Sequence, residues 1–335
     1  MRIFSSVLLA LGLVAQPVPA QEEAPPLRVD VELVTLTATV TSRTGTYVGG
    51  LKKEDFRVYE DGVLQEIAVF ESHQVPISLG ILFDTSGSMV DKIDDVQDAV
   101  LHFIRTVNPQ DEIFVLRFSS RVELVEEFTD DRARLERAVR RLRARGSTHL
   151  YDAIAEGLEI VQQGRRPKKA LLLVTDGNDT ESSIAFEEVL ERAQKSEVLV
   201  YGMGIGHSER GSFGHAPRAF RDEVDMRVLN ALAEETGGKS YHLEAAHRGG
   251  RDLIDEACQE VSTELRQQYL LAYYPKNTAQ GGGYRRIRVE TRNPGQVVRT
   301  RPGYYPPQKK VSGQPRRTGA EGVADGRLDT SGGTQ

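Results

Sequence analysis

Residues 77–88 read Ile77-Ser78-Leu79-Gly80-Ile81-Leu82-Phe83-Asp84-Thr85-Ser86-Gly87-Ser88. The first seven are apolar apart from Ser78 and Gly80, the pattern of a strand buried on both faces. A carboxylate and several hydroxyls follow at once, with Gly87 easing a tight turn before a helix. Doubly wound sheets bind their ligands at this place, the carboxyl end of a buried strand. The D-x-S-x-S spacing aims one carboxylate and two hydroxyls at a common point. Asp84, Ser86 and Ser88 are hard oxygen donors, suited to Mg2+, Mn2+ or Ca2+ rather than to zinc. Ser and Asp are also favoured where a helix begins, so a plain N-cap turn competes with metal binding at this level.

Outward from this strand the pattern alternates. Helical periodicity is expected over 91–106, 131–144, 150–162, 183–195, 226–236 and 252–268. Strands are expected over 112–118, 122–128, 170–175, 198–204 and 239–243. This predicts an α/β unit over 76–268, a doubly wound and mostly parallel sheet with helices on both faces. Residues 207–217, rich in Gly, Ser and His, read as a surface insertion.

The flanks have a different grammar. Val29, Val31 and Leu33 alternate with polar residues, then Val34, Leu36, Ala38 and Val40 alternate in the opposite phase, which suggests a bulge or a change of sheet. A strand over 56–60, a hairpin turn at Asp61-Gly62 and a strand over 67–71 complete residues 27–75. After the last helix, 269–274, 284–291 and 297–305 are extended again. Neither flank has enough strands for a stable sheet of its own. The α/β unit is therefore expected to be inserted in, or flanked by, one small β-sandwich built from 27–75 and 269–307. Residues 308–335 lack periodic apolar positions and read as a disordered tail.

Two further loops reach the same sheet edge. Gly146-Ser147-Thr148-His149-Leu150 places Thr148 at the turn before a helix, and Val174-Thr175-Asp176-Gly177 places Asp176 at the end of another apolar strand. Together the three loops offer Asp84, Ser86, Ser88, Thr148 and Asp176. This set resembles, residue by residue, the metal-ion-dependent adhesion site of the von Willebrand A family, over roughly 76–268. A narrower resemblance joins Leu51-Lys52-Lys53-Glu54-Asp55-Phe56, Glu60-Asp61-Gly62, Gln268-Tyr269 and Arg301-Pro302-Gly303-Tyr304-Tyr305 to the von Willebrand A-related exported proteins of acidobacteria. The family resemblance implies a cation, Mg2+ first and Mn2+ or Ca2+ as alternatives, on those five side chains. It further implies a protein partner that presents a carboxylate to a vacant coordination position, and no catalysis. Three of the five ligands are neutral hydroxyls, which leaves the cation field for such an outside oxygen.

Other constellations are weaker. Asp152 reads as a cap or brace of its helix and Asn178-Asp179 as a solvated turn. Gly202-Met203-Gly204-Ile205-Gly206 lacks the glycine spacing and the following helix of a dinucleotide loop. His207 and His215 have no partners to complete a tetrahedral soft-metal set. No G-x-S-x-G elbow is present to supply a hydrolase nucleophile.

Composition narrows the function classes. A 39% hydrophobic, 27% charged chain reads as globular, and a net charge of −6 with interspersed signs offers no general field for nucleic acid. Residues 3–15 are apolar but too short to span a bilayer, and Val18-Pro19-Ala20 suits a signal peptidase. A signal peptide over 1–20 is expected, with an uncleaved anchor as the alternative. After cleavage no later stretch is long enough to cross a membrane. The single cysteine, Cys258, lies on an apolar helical face and reads as packing. The chain is thus expected to be an exported, periplasmic or secreted, cation-dependent binding module. The alternatives are a metal-assisted hydrolase and an envelope-assembly protein whose cation only braces loops.

Overall fold

Apolar alternation in the flanks and continuous apolar strands in the middle sort the chain into two packed parts. A computed structural model describes residues 33–72, 74–207, 224–245, 250–277 and 283–306. The expected signal peptide, the 27–32 strand phase, most of the 207–217 insertion and the tail lie outside them. The first part contributes β1 (Val34–Ser42), β2 (Phe56–Glu60), β3 (Val63–Gln65) and β4 (Ile67–Glu71). The middle part runs β5 (Ile77–Asp84), α1 (Ile93–Thr106), β6 (Glu112–Phe118), β7 (Val122–Thr129), α2 (Arg132–Arg140), α3 (Leu150–Gln162), β8 (Lys168–Thr175), α4 (Phe186–Lys195), β9 (Leu199–His207), α5 (Met226–Thr236), β10 (Ser240–Ala245) and α6 (Gly250–Gln267). The last part supplies β11 (Tyr269–Tyr273), β12 (Arg285–Thr291), β13 (Gln296–Arg299) and β14 (Gly303–Tyr304).

The central sheet has the order β10-β9-β8-β5-β6-β7, parallel except for the antiparallel edge strand β7. Every residue of β5 is buried, as its mostly apolar run leads one to expect. Each such Leu, Ile or Phe contributes roughly 1.5–3 kcal/mol on burial. One face packs on α1, α2 and α6 through Leu79, Ile81, Phe83, Phe103, Leu135 and Ile254. The other packs on α3, α4 and α5 through Leu82, Leu116, Ile154, Val189 and Leu229. Helices therefore cover both faces, and the fold is the expected α/β class.

β5 is the first strand of the sheet and sits inside it, between β8 and β6. The chain winds to one side through β6 and returns to the other through β8. A crevice opens at the carboxyl ends where the direction reverses. Asp84 closes β5 there, and Asp176 follows β8.

Each sheet of the sandwich takes strands from both ends of the chain. One has the order β13-β1-β11-β4 and the other β14-β12-β2-β3. Val34 pairs with Tyr273, and Phe56 with Thr291. Between the sheets lie Val34, Leu36, Ala38, Val40, Val58, Leu271 and Val289, so the second alternating phase of β1 faces the core. Asp61 and Gly62 both have positive φ, 48° and 81°, which fits the short hairpin between β2 and β3.

Three expected elements differ. The helix expected over 131–144 ends at Arg140, because the buried Gln97 amide donates to the carbonyls of Val139 and Leu142 and closes that end. The helix expected from 183 begins at Phe186, since the backbone N–H of Ser183 is held by Asp152. The single strand expected over 297–305 is two, β13 and β14, which lie in opposite sheets. The crossing segment is held by Arg301, whose Nη2 donates to the Thr35 carbonyl at 2.8 Å and to Glu197 at 3.2 Å.

Two buried carboxylates organise the sandwich and its junction with the central sheet. Glu60 receives hydroxyl hydrogen bonds from Tyr273 at 2.8 Å and Tyr304 at 3.0 Å and pairs with Arg285. Glu264, on α6, accepts from Tyr201 of β9 at 2.7 Å and from Thr39 of β1 at 3.1 Å, and pairs with Arg299 of β13. The Glu264 group is thus shared between both parts. Burial and the Glu264 charge push the Tyr201 hydroxyl well above the ordinary range.

Candidate metal centre

Asp84 is completely buried at the end of β5. Its Oδ1 accepts the Ser86 N–H at 2.8 Å, which folds the chain back tightly. Its Oδ2 accepts the Thr175 hydroxyl at 2.6 Å. Ser86 is 1% exposed, and its Oγ lies 3.0 Å from Ser88 Oγ. Gly87 to Met89 form one turn of 3-10 helix, with Met89 buried beneath them.

The second loop is tied to the first by backbone bonds. Arg145 N donates to the Thr85 carbonyl at 2.7 Å, and Gly87 N donates to the Gly146 carbonyl at 2.9 Å. Thr148, 4% exposed, follows three residues after Arg145. Its N–H donates to Thr180 Oγ1 at 2.9 Å, while its carbonyl accepts from Thr180 N at 3.0 Å and Glu181 N at 3.2 Å. The third loop is therefore clamped to the second.

In that third loop Asp176 is 1% exposed. One of its oxygens accepts the Asn178 N–H at 3.2 Å, and the other, Oδ2, is buried with no hydrogen-bond partner. Gly177 adopts φ +81°, and a Cβ there would meet the Asp225 carbonyl oxygen at 2.6 Å. Only glycine suits that turn.

Electrostatics at the site are lopsided. Burial, then the charge of Asp176, push the Asp84 carboxyl up to about 6, against hydrogen bonds from Ser86 and Thr175. Two carboxylates share a buried edge with hydroxyls around them, an arrangement that a bound cation would relieve. The donor set is all oxygen, and one carboxylate oxygen is unspent. These residues fit a hard divalent cation. Among the described residues no group of three or more His, Cys, Asp and Glu is placed to hold a metal, so softer metals have no such cluster.

Among the described residues the rim of the site is partly exposed. Gly87 and Thr180 are exposed, Ser88 and Asn178 half-buried, and Val90 is 55% exposed beside them.

Residues 79–178 match the family model of the von Willebrand factor type A domain, a span that contains all five candidate ligands. The chain carries a von Willebrand factor type A domain. Over 211 residues it is 24% identical to the inter-alpha-trypsin inhibitor heavy chain H1 of Mesocricetus auratus, covering 57% of this chain and 21% of that one. Over 179 residues it is 28% identical to an uncharacterized protein of Synechocystis, covering 51% of this chain and 38% of that one. The chain thus spans about a fifth of the hamster relative and less than two-fifths of the cyanobacterial one. A von Willebrand factor type A structure from Catenulispora acidiphila is 14% identical with a TM-score of 0.48, covering 75% of this chain and 72% of that one. The narrower acidobacterial likeness finds no counterpart among these relatives.

Several residues with structural roles in this domain were not singled out in the sequence. Thr175 holds Asp84, and Thr180 holds Thr148. Asp179 does not form a solvated turn: its Oδ1 accepts the N–H groups of Leu150 at 2.8 Å and Tyr151 at 3.3 Å, capping α3 from another loop. The helix N-terminus has no side-chain cap of its own at His149, which explains the need. Asp152 braces the neighbouring loop through Ser183 N at 2.9 Å and Ser183 Oγ at 2.9 Å. A turn rich in Asp, Thr and Ser signals capping, but not which helix it caps.

Proposed function

We propose that this domain is a cation-dependent protein-binding module. Asp84, Ser86, Ser88, Thr148 and Asp176 would hold one divalent cation, Mg2+ in the first instance and Mn2+ or Ca2+ otherwise. The observation that carries the reading is the buried pair Asp84 and Asp176, with Asp176 Oδ2 unspent. The cation would supply a Lewis-acidic point at this partly exposed rim, where a carboxylate of a protein partner can replace a bound water. Export, to the periplasm or outside the cell, belongs to the same reading and rests on residues 1–20. No described helix is long and apolar enough to cross a membrane.

Two features favour binding over the alternatives. The three loops are already joined by Arg145–Thr85, Gly87–Gly146 and Thr148–Thr180 bonds, so bracing needs no cation. The nearby carboxylates of Asp152 and Asp179 are engaged by N–H groups, and His149 Nδ1 lies 2.9 Å from the Ser119 carbonyl. These three groups are therefore already engaged rather than free to act as the general base of a metal-assisted hydrolase.

The test is retention of the full chain on a glutamate-bearing resin. Retention in Mg2+ that is reversed by EDTA and absent in Asp176→Ala supports the reading. Equal retention in EDTA sinks it, and Asp84-dependent turnover of a generic phosphoester would favour the hydrolase.

A further inference from the structure

Although the chain is net negative, residues 132–145 contain seven arginines and a single acidic residue, Glu136. α2 buries Leu135, Ala138 and Val139, with Leu142 just beyond it, against α1 and the β6–β7 edge. Arg137, Arg140, Arg141, Arg143 and Arg145 are all exposed. Of the neighbouring carboxylates, Glu136 pairs with Arg105, Glu126 with Arg134, and Asp131 caps the start of α2. None of the five exposed arginines ion-pairs with a described carboxylate. Arg143 Nη1 turns back to the Arg140 and Leu142 carbonyls at 2.9 and 2.6 Å, yet keeps its charge.

The helix dipole does not account for this concentration. Its field favours cations in the last turn and falls off within that turn. It explains Arg137 and Arg140, but Arg141, Arg143 and Arg145 lie past the helix. The Gln97 amide takes the Val139 and Leu142 carbonyls, and of the described arginine side chains past the helix only that of Arg143 donates to carbonyls at that end.

The ridge runs into the candidate metal centre. Arg145 is bonded through its backbone to Thr85, Gly146 to Gly87, and Thr148 follows. Three residues span at most about 10 Å of extended chain. Arg145 therefore enters the site loop from the ridge side, a short stretch of chain from Thr148.

We infer that this arginine ridge is the second half of the partner-binding surface, and that the partner is a protein segment bearing several carboxylates. The inference rests on the cation reading above: one carboxylate would reach the cation, and others would meet the positive charges of the ridge, an attraction that depends on charge rather than on the guanidinium shape. A uniformly charged polyanion suits the surface less well, because Asp91, Asp94 and Glu181 are exposed around the same edge. Discrete carboxylates can avoid those positions.

The test uses the full chain and a short, fluorescein-labelled, glutamate-rich peptide, read by fluorescence anisotropy in Mg2+ at physiological salt. Three variants accompany the wild type: all five ridge arginines to Gln, all five to Lys, and Asp84→Ala. The Gln variant should bind at least about tenfold more weakly, while the Lys variant, which keeps the charge, stays within about threefold. Equal weakening of both would mark a structural role and overturn the inference, as would wild-type protein that does not bind the peptide. Loss on Asp84→Ala with the Gln variant unaffected overturns the ridge and leaves the cation reading standing. Loss in the Gln variant with no response to EDTA or Asp84→Ala upholds the ridge and removes the cation reading. Ridge-dependent binding of heparin, single-stranded DNA or anionic vesicles, without peptide binding, overturns the assignment to a protein partner.

Discussion

The Thr175 hydroxyl donates to Asp84 Oδ2 at 2.6 Å, and so joins the ends of β5 and β8 across the crevice of the sheet. Thr175 is itself fully buried and is the residue before Asp176. One side chain thus holds one candidate ligand and adjoins another. The same hydroxyl accepts the Gly177 N–H at 3.1 Å, which shapes the turn that carries Asp176.

Thr175→Val keeps the shape and removes the hydroxyl. A buried carboxylate then loses a donor while still facing Asp176. Hydrogen bonds to charged groups are worth about 1.5–3 kcal/mol, and a loss of that size is expected in urea unfolding under EDTA. A loss below about 0.5 kcal/mol would mean that water replaces the hydroxyl.

Glu264→Gln should be among the most damaging single changes outside the site. It leaves Arg299, about one-third exposed, without its carboxylate, and weakens the bonds from Tyr201 and Thr39. Removing one partner of a buried pair costs about 3–5 kcal/mol, and the exposure of Arg299 lowers the expectation to about 2–4. Removing Glu290, paired with Arg288 on the open surface, should change stability by less than about 1 kcal/mol. Chemical denaturation of the two variants side by side gives the comparison.

Lys168 is 2% exposed, with its Nζ donating to the Leu265 carbonyl at 2.6 Å. Burial lowers its amine from 10.5 to about 8, against the charges of Asp111 and Glu264. Between those two values the unfolded chain binds the proton and the folded chain does not. This contribution therefore rises as pH climbs from about 8 to 10.5, and is lost as pH falls back through 8. The full rise is about 3 kcal/mol. Buried tyrosines shift stability the opposite way above pH 10, so the wild type should be compared with Lys168→Met, which retains them. The difference between the two proteins should move toward the wild type over that window. A difference independent of pH would contradict the buried charge.

Residues 27–75 alone should not fold. Both sandwich sheets take strands from each end of the chain, so this piece lacks β11 and β12, the partners of β1 and β2. Its NMR spectrum should be collapsed, and should disperse when the full chain is intact. Good dispersion in the isolated piece would argue for a separate N-terminal unit.

Much of this was legible in sequence because the signals were local. A run that is apolar but for Ser78 and Gly80 and ends in Asp84 reads as a buried strand with its polar end at a sheet edge. The alternation of Val34, Leu36, Ala38 and Val40 told which face of β1 packs inward. What stayed hidden depends on contacts between distant residues. Nothing near Asp179 says that it caps α3, and nothing near Glu264 says that Tyr201, Thr39 and Arg299 converge on it. The early end of α2 likewise depends on Gln97, which lies 42 and 45 residues before the carbonyls it closes. Five candidate oxygen ligands could be named from spacing and resemblance, but their supports came from side chains of ordinary type in unremarked positions.

The central claim is that Asp84, Ser86, Ser88, Thr148 and Asp176 hold one divalent cation. Its most direct test is the thermal unfolding of the chelator-treated full chain across a Mg2+ titration, with Asp84→Ala alongside. A ligand that binds only the native state should stabilise it progressively, by about 2.7 kcal/mol at one hundred times its dissociation constant. The wild type should show that logarithmic rise in midpoint, and Asp84→Ala should remain flat. A wild-type midpoint that does not respond to Mg2+, Mn2+ or Ca2+, or a variant that responds equally, would contradict the metal centre.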